Sequence, residues 1–172
     1  EYKNDLWLVL KTQHVKPGKG GAFAQVEMKS VGKNTKLNER FRSSETVEKA
    51  SLEETDFNYL YDDENNYIFM DPKTFEQIEI KKDLIGEKGK LMTENLKVSV
   101  SFHNENPISV ELPNQVTCKI ETTDVALKGQ TVSSSYKPAT LDNGLNIQVP
   151  PFIDSGDEVI VDTRTLEYIK KI

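Results

Sequence analysis

Apolar and polar positions alternate with a period of two along most of this chain, and that rhythm predicts strands. Leu6-Trp7-Leu8-Val9-Leu10 is a continuous apolar, β-prone run. Further on, Ala24, Val26 and Met28 alternate with Gln25, Glu27 and Lys29. Between them lies Lys16-Pro17-Gly18-Lys19-Gly20-Gly21-Ala22-Phe23, which reads as the tip of a β-hairpin. Pro17 fixes one φ and stiffens the loop, while Gly18, Gly20 and Gly21 can take positive φ without a Cβ clash. The expected object is a thin finger of backbone with the ammonium of Lys19 near its end. Spacing alone does not separate this from an ordinary surface hairpin with a lysine at its turn. It argues against a phosphate-cradling P-loop, which needs Ser or Thr after the Lys and a helix beyond. Here Gly20 follows, and then a strand.

The same rhythm continues. Residues 36–42 form a polar strand around Leu37 and Phe41, and Ser43-Ser44-Glu45-Thr46 a turn, with a boundary near Lys49. Phe57, Tyr59 and Tyr61 alternate, an acidic turn follows at 62–66, and 67–70 returns as a strand. Asp71-Pro72 breaks it, and Phe75, Ile78 and Ile80 continue as a further strand. Residues 83–92 are the best helix candidate, kept short by Gly86 and Gly89. Val98, Val100 and Phe102 alternate, as do Ile108, Val110 and Leu112 across a turn at 104–107, and Pro113 marks a second boundary. Strands are then expected at 116–121, 130–136, 145–149, 158–162 and 167–170. Many short strands between turn clusters predict an all-β chain of three small β-barrel domains, divided 1–49, 50–111 and 112–172. Each is marginal alone, because small domains bury a smaller share of their surface. No internal sequence repeat links the second and third.

Composition removes several function classes. The chain has 172 residues, 36% hydrophobic and 29% charged, as in ordinary globular proteins. No apolar run reaches the roughly 18 residues of a membrane span. The first five residues are polar and the apolar run behind them is too short for a signal peptide, so a cytoplasmic, non-membrane protein is expected. The chain does not begin with Met, and its true N-terminus is expected upstream. Cys118 is the only cysteine, which excludes an intrachain disulfide. It shares a strand face with Val116 and Ile120 and reads as a buried structural thiol rather than a nucleophile. His14 and His103 are the only histidines, no metal-ligand spacing exists, and carboxylates are scattered. No metal, no cofactor and no enzymatic chemistry is expected.

Charge is uneven. Net charge is −6, yet residues 1–49 carry ten Lys/Arg against six Asp/Glu, whereas 50–111 carry six against fourteen. A basic first third on an acidic body can orient the molecule against a phosphate-rich surface, although a chance asymmetry of solvated charges would look the same.

Two spaced motifs then carry a resemblance. His14-Val15-Lys16-Pro17-Gly18-Lys19-Gly20-Gly21-Ala22-Phe23 resembles the modification loop of bacterial elongation factor P. Far away, Lys137-x-Ala139, Gly144, Ile147, Val149-Pro150, Ile153 and Gly156 resemble the signature of that family's last domain. Thr74-Phe75-Glu76-Gln77, Pro107-Ile108-Ser109-Val110, Asp162-Thr163-Arg164 and Glu167-Tyr168 fall in family order, so the resemblance spans essentially the whole chain. It implies an SH3-like (KOW-type) domain followed by two OB-type barrels in a tRNA-like shape. The first strand of the first domain is expected to be missing here.

The resemblance further implies a monomeric, non-enzymatic translation elongation factor. Such a factor binds the ribosome between the P and E sites. It stimulates peptide-bond formation at polyproline stalls by positioning the P-site peptidyl-tRNA. Lys19 is then the residue that meets the CCA end, and the target of a lysine-modifying enzyme. Pro17, Gly18, Gly20 and Gly21 shape its loop. Lys16, Lys29, Lys33, Lys36, Arg40 and Arg42 are candidates for RNA backbone contacts, each against the alternative of a solvated cation. Gly129-Gln130-Thr131 stands where the family often carries Gly-Asp-Thr in a loop that recognises the tRNA D-arm. Gln130 lacks the acid, which leaves tRNA preference open. Arg164 and Tyr168 are implied C-terminal RNA contacts, with packing at the barrel's end an equal alternative for Tyr168. Two other readings stay in view, a paralogue of the family with a different tRNA or stalling preference, and a stand-alone OB-type nucleic-acid binder. The latter wants aromatic residues interleaved with basic ones, whereas Tyr59, Tyr61, Tyr67 and Phe69 cluster in the acidic middle third.

Overall fold

The alternating runs become antiparallel strands. A computed structural model describes residues 1–172 apart from Pro17, Lys19, Asn34 and 126–134. β1 (Trp7–Val15), β2 (Phe23–Ser30) and β3 (Lys36–Arg42) form a three-stranded sheet in that order. It belongs to the first of two compact units, Glu1–Glu53 and Glu54–Ile172. The apolar run in β1 is not buried, since Leu8, Val9 and Leu10 are 59%, 54% and 44% exposed. β1 is an outer strand, with an irregular register between Val9 and Lys11.

The second unit holds two five-stranded sheets. The first comprises β4 (Glu53–Asp62), β5 (Asn66–Met70), β6 (Gln77–Lys81), β7 (Lys97–His103) and β8 (Asn106–Glu111), ordered β6-β5-β4-β7-β8. The other comprises β9 (Gln115–Thr123), β10 (Lys137–Leu141), β11 (Asn146–Val149), β12 (Glu158–Asp162) and β13 (Glu167–Lys171), ordered β11-β10-β9-β12-β13. Both follow the same route, third strand, second, first, fourth, fifth. The repeat absent from the sequence is therefore present in the topology, which is that of a five-stranded OB barrel. Inward-facing Phe57, Phe69, Ile80 and Val100 build one core, and Ile120, Leu141, Val149 and Val159 the other. Leu96 and Leu112 pack against both.

Three expectations need correcting. The helix over 83–92 is a four-residue helix, α1 (Lys82–Ile85), followed by a 3-10 stretch at Gly86–Leu91. Gly86, at φ 70°, ends α1. Phe75 is not in a strand but in a turn, with φ 62° and 71% exposure. The carboxylate of Asp71 caps that turn by accepting the N–H groups of Lys73 and Thr74 at 2.7 and 3.2 Å. Finally, of the strand expected at 130–136 only Ser135 and Tyr136 are described, and neither is in a strand; the strand is β10, immediately after.

Thr163 pins the end of β12 to the segment leading into β9. It is 2% exposed, its hydroxyl donates to the Pro113 carbonyl at 2.6 Å, and its N–H donates to that of Asn114 at 3.0 Å. Thr163→Val preserves the shape but leaves the Pro113 carbonyl without its donor. A loss of about 1.5 kcal/mol is expected, read as a lower urea midpoint at unchanged slope.

Candidate functional site

The hairpin expected around Lys19 is present. β1 and β2 pair from Trp7↔Ser30 to Val15↔Phe23, and that last pair is its root. Pro17 and Lys19 lie outside the described residues. Lys16, Gly18, Gly20 and Gly21 are exposed. A Cβ added at Gly18 or Gly21 would meet nothing within 4 Å. The third strand secures the root. Ser43 donates to the Ala22 carbonyl from its hydroxyl at 2.7 Å and from its N–H at 3.3 Å.

Register sorts the side chains of this sheet onto two faces, because directly paired residues point the same way. Trp7, Val9, Val26, Met28 and Phe41 fall on one side, where they line a cavity of about 320 Å³. Tyr2 closes against it, ring edge to Phe41 at 5.1 Å, and its carbonyl accepts the Trp7 Nε1–H at 2.9 Å. The other side carries Lys11, Lys29, Lys36, Arg40 and Arg42 with Phe23, Gln25 and Glu27. So the structure brings four of the six proposed backbone-contact cations onto one face. It adds Lys11, which sequence reasoning missed; the irregularity after Val9 sets which way Lys11 points. Lys16 continues from Val15 into the loop.

Lys33 is not part of this face. It sits in the turn after β2, where its ammonium lies 3.2 Å from Asp5 Oδ2. Burial pushes the Asp5 carboxyl up, but bonds from Lys33, Ser30 and the Leu6 N–H outweigh it and hold the group below its ordinary value. Lys36 reaches Glu27 at 3.6 Å and Lys3 reaches Glu39 at 3.2 Å. Arg40 lies instead over the Phe23 ring, 4.2 Å from its centroid. Among the described residues no ion pair holds Lys11, Lys16, Lys29, Arg40 or Arg42.

In the last sheet, Gly129, Gln130 and Thr131 lie outside the described residues. Arg164 is tied to Asp162, Nη2 to Oδ2 at 2.8 Å and Nε to Oδ1 at 3.2 Å. This pairing, reinforced by the Arg164 N–H, lowers the Asp162 carboxyl to about 2. Its pKa is therefore depressed in the folded state, and the stability it lends is present above the ordinary value of 3.8 and lost as pH falls toward 2. In Arg164→Ala, NMR titration is expected to show Asp162 moving up toward 3.8. Tyr168 packs partly on the core and, with Tyr136, Asn146 and Gln148, lines an open pocket of about 560 Å³. Tyr136, 55% exposed, is another residue sequence reasoning did not single out.

The spaced signature of the last third is architectural. Ala139, Ile147, Val149 and Ile153 are core positions, while Gly144 and Gly156 occupy turns at φ 84° and 91°. Cys118 is buried, and burial with the nearby Asp142 charge pushes its thiol up to about 11, the opposite of an activated nucleophile. Among the described residues no three His, Cys, Asp or Glu side chains could hold a metal, and no helix is long and apolar enough to cross a membrane.

Known proteins resemble this chain along its whole length. Family models match in order, "Elongation factor P (EF-P) KOW-like domain" over residues 1–47, "Elongation factor P (EF-P) OB domain" over 52–110 and "Elongation factor P, C-terminal" over 116–171. Elongation factor P of Pelagibacter ubique is 82% identical over 172 residues, covering 100% of this chain and 92% of that protein. That of Bartonella bacilliformis is 49% identical, covering 100% and 90%, and that of Brucella ovis 51% identical, covering 99% and 92%. A solved structure, eukaryotic translation initiation factor 5A from Methanococcus jannaschii, aligns at 18% identity and a TM-score of 0.47 over 64% of this chain and 81% of that one, too distant to bear on function. With all three domain models matched in order and relatives this similar along its full length, the chain belongs to the elongation factor P family of translation elongation factors.

Proposed function

We propose that this protein binds the ribosome between the P and E sites and accelerates peptide-bond formation at consecutive prolines by positioning the peptidyl-tRNA. One observation carries the reading. The hairpin that bears Lys19 rises from a sheet whose open face gathers Lys11, Lys29, Lys36, Arg40 and Arg42, a surface suited to an RNA backbone. Lys19, extended by a modifying enzyme, meets the CCA end, and Arg164 and Tyr168 add contacts from the last domain. The protein acts as a monomer in the cytoplasm and makes no bond itself. Proline is a poor nucleophile, so holding the reacting ends in register lowers the entropic part of the barrier. An alignment gain of about 3 kcal/mol is worth roughly a hundredfold in rate. The test is reconstituted translation of messages with and without a Pro-Pro-Pro stretch. Acceleration confined to the proline message is expected, and equal rates with and without the protein on that message would refute the proposal.

A further inference from the structure

Residues 112–114 alone join the middle sheet to the last one, since β8 ends at Glu111 and β9 begins at Gln115. Barrels joined so briefly move against each other unless an apolar interface stops them. Here the core of the last sheet contains a residue from the middle part of the chain. Leu91 closes the 3-10 stretch between β6 and β7, is 1% exposed, and belongs to the cluster of Ile120, Leu141, Val149 and Val159. Its neighbour Met92, 8% exposed, belongs to the other core with Phe57, Phe69 and Val100. The backbone explains the division. Met92 leaves the 3-10 stretch at φ −73° and ψ 132°, extended geometry in which successive side chains point to opposite sides.

The root of Leu91 is fixed to the middle sheet on both sides. Gly89 lies against the ring of Tyr67, and Met92 is enclosed in that sheet's core. Leu96 and Leu112 pack against both cores and fill the seam beside it. Each is tied down in turn. The Leu96 carbonyl accepts the Tyr59 N–H at 2.9 Å, and the Pro113 carbonyl, next to Leu112, accepts the Thr163 hydroxyl at 2.6 Å. Close-packed cores do not deform continuously, so a side chain planted on one barrel and enclosed by the other transmits position between them.

We propose that Leu91 is a positioning residue that locks the last barrel to the middle one, so that Arg164 and Tyr168 act from a fixed place. The lock itself stands on packing alone. What it serves rests on the functional reading above, which it deepens.

The test uses the full chain with spin labels at two exposed positions, Glu79→Cys in β6 and Lys170→Cys in β13. Cys118 is buried with its thiol pushed up to about 11, so it does not compete for the label. Double electron–electron resonance is expected to give one narrow distance distribution. Leu91→Ala opens a cavity in the last core. It is expected to broaden that distribution and to speed amide exchange in β9–β13 about a hundredfold, with less effect in β4–β8. Leu91→Met, close in volume, keeps the distribution narrow. Should Leu91→Ala fail to fold, Leu91→Val is read in the same two ways. A distribution as narrow as wild type, or exchange that speeds only in β4–β8, overturns the lock. Ribosome affinity then reads the positioning role. Arg164→Ala is expected to weaken binding several-fold in the wild-type background and to add almost nothing to Leu91→Ala, a coupling that a double-mutant cycle measures. Additive losses overturn that role. If wild type does not bind ribosomes, the functional reading falls and the purpose of the lock with it, while the distances still decide whether the lock exists.

Discussion

Lys19→Ala will form Pro-Pro bonds no faster than ribosomes supplied with no factor at all. The expected loss is most of a roughly hundredfold stimulation, because the whole alignment gain is assigned to one side chain and its extension. Among the described residues, the contacts that hold the finger lie elsewhere. The hairpin is fixed by the ladder ending at Val15↔Phe23, by Ser43 on the Ala22 carbonyl and by Arg40 on Phe23. The variant is therefore expected to keep the wild-type melting temperature and to bind ribosomes with only modestly reduced affinity. Rapid-quench measurement of Pro-Pro bond formation, beside a binding titration, separates the two effects. Lys19→Arg sharpens the result: it retains a cation but offers no amine to a lysine-modifying enzyme, and it too is expected to lose stimulation. If Lys19→Ala stimulates as well as wild type, the amine does not carry the function and the proposal falls.

The hairpin was legible because its signals are local. A glycine-rich loop with one proline separates two β-prone runs, and no distant residue is needed to infer the turn. The partition of cations was not legible in the same way. Lys33 and Arg40 look equally available along the chain, but Asp5, remote in sequence, claims one while Phe23 claims the other. β10 was missed for a different reason. Pro138 argues against an inner strand, since it lacks a backbone donor. The structure accommodates it at the margin: pairing with β9 begins only at Ala139, and the Pro138 carbonyl accepts the Thr123 hydroxyl at 2.9 Å. The helix at 83–92 failed through its glycines. Their low propensity was visible, but their two separate duties, a positive φ at Gly86 and a close approach at Gly89, arise only in three dimensions.

Gly89→Ala will destabilise the second unit by about 3 kcal/mol, although on propensity alone alanine should improve a helical stretch. A Cβ at this position would sit 2.5 Å from Tyr67 Cζ and 2.6 Å from Cε2, and closer still to the hydroxyl. Tyr67 cannot step aside. It is 8% exposed, meets Tyr59 edge-on at 6.0 Å, and lies under the Lys82 ammonium 5.3 Å from its ring centroid. Lys82 is itself held by Asp62 at 2.5 Å, and Asp62 accepts the Tyr59 hydroxyl at 3.1 Å. Relief must come from shifting the 3-10 segment, which would pull Leu91, 1% exposed, from its place in the core. A fall in melting temperature of roughly 10 °C is expected, with a lower urea midpoint at similar slope. Tyr67→Phe in the same background removes only the hydroxyl and should restore part of the loss, because Cζ and Cε2 still obstruct the new methyl. Gly21→Ala is the contrasting case, with open space around the new methyl, and should leave stability unchanged. A Gly89→Ala protein that melts with wild type would mean that Tyr67 does not pack against this glycine.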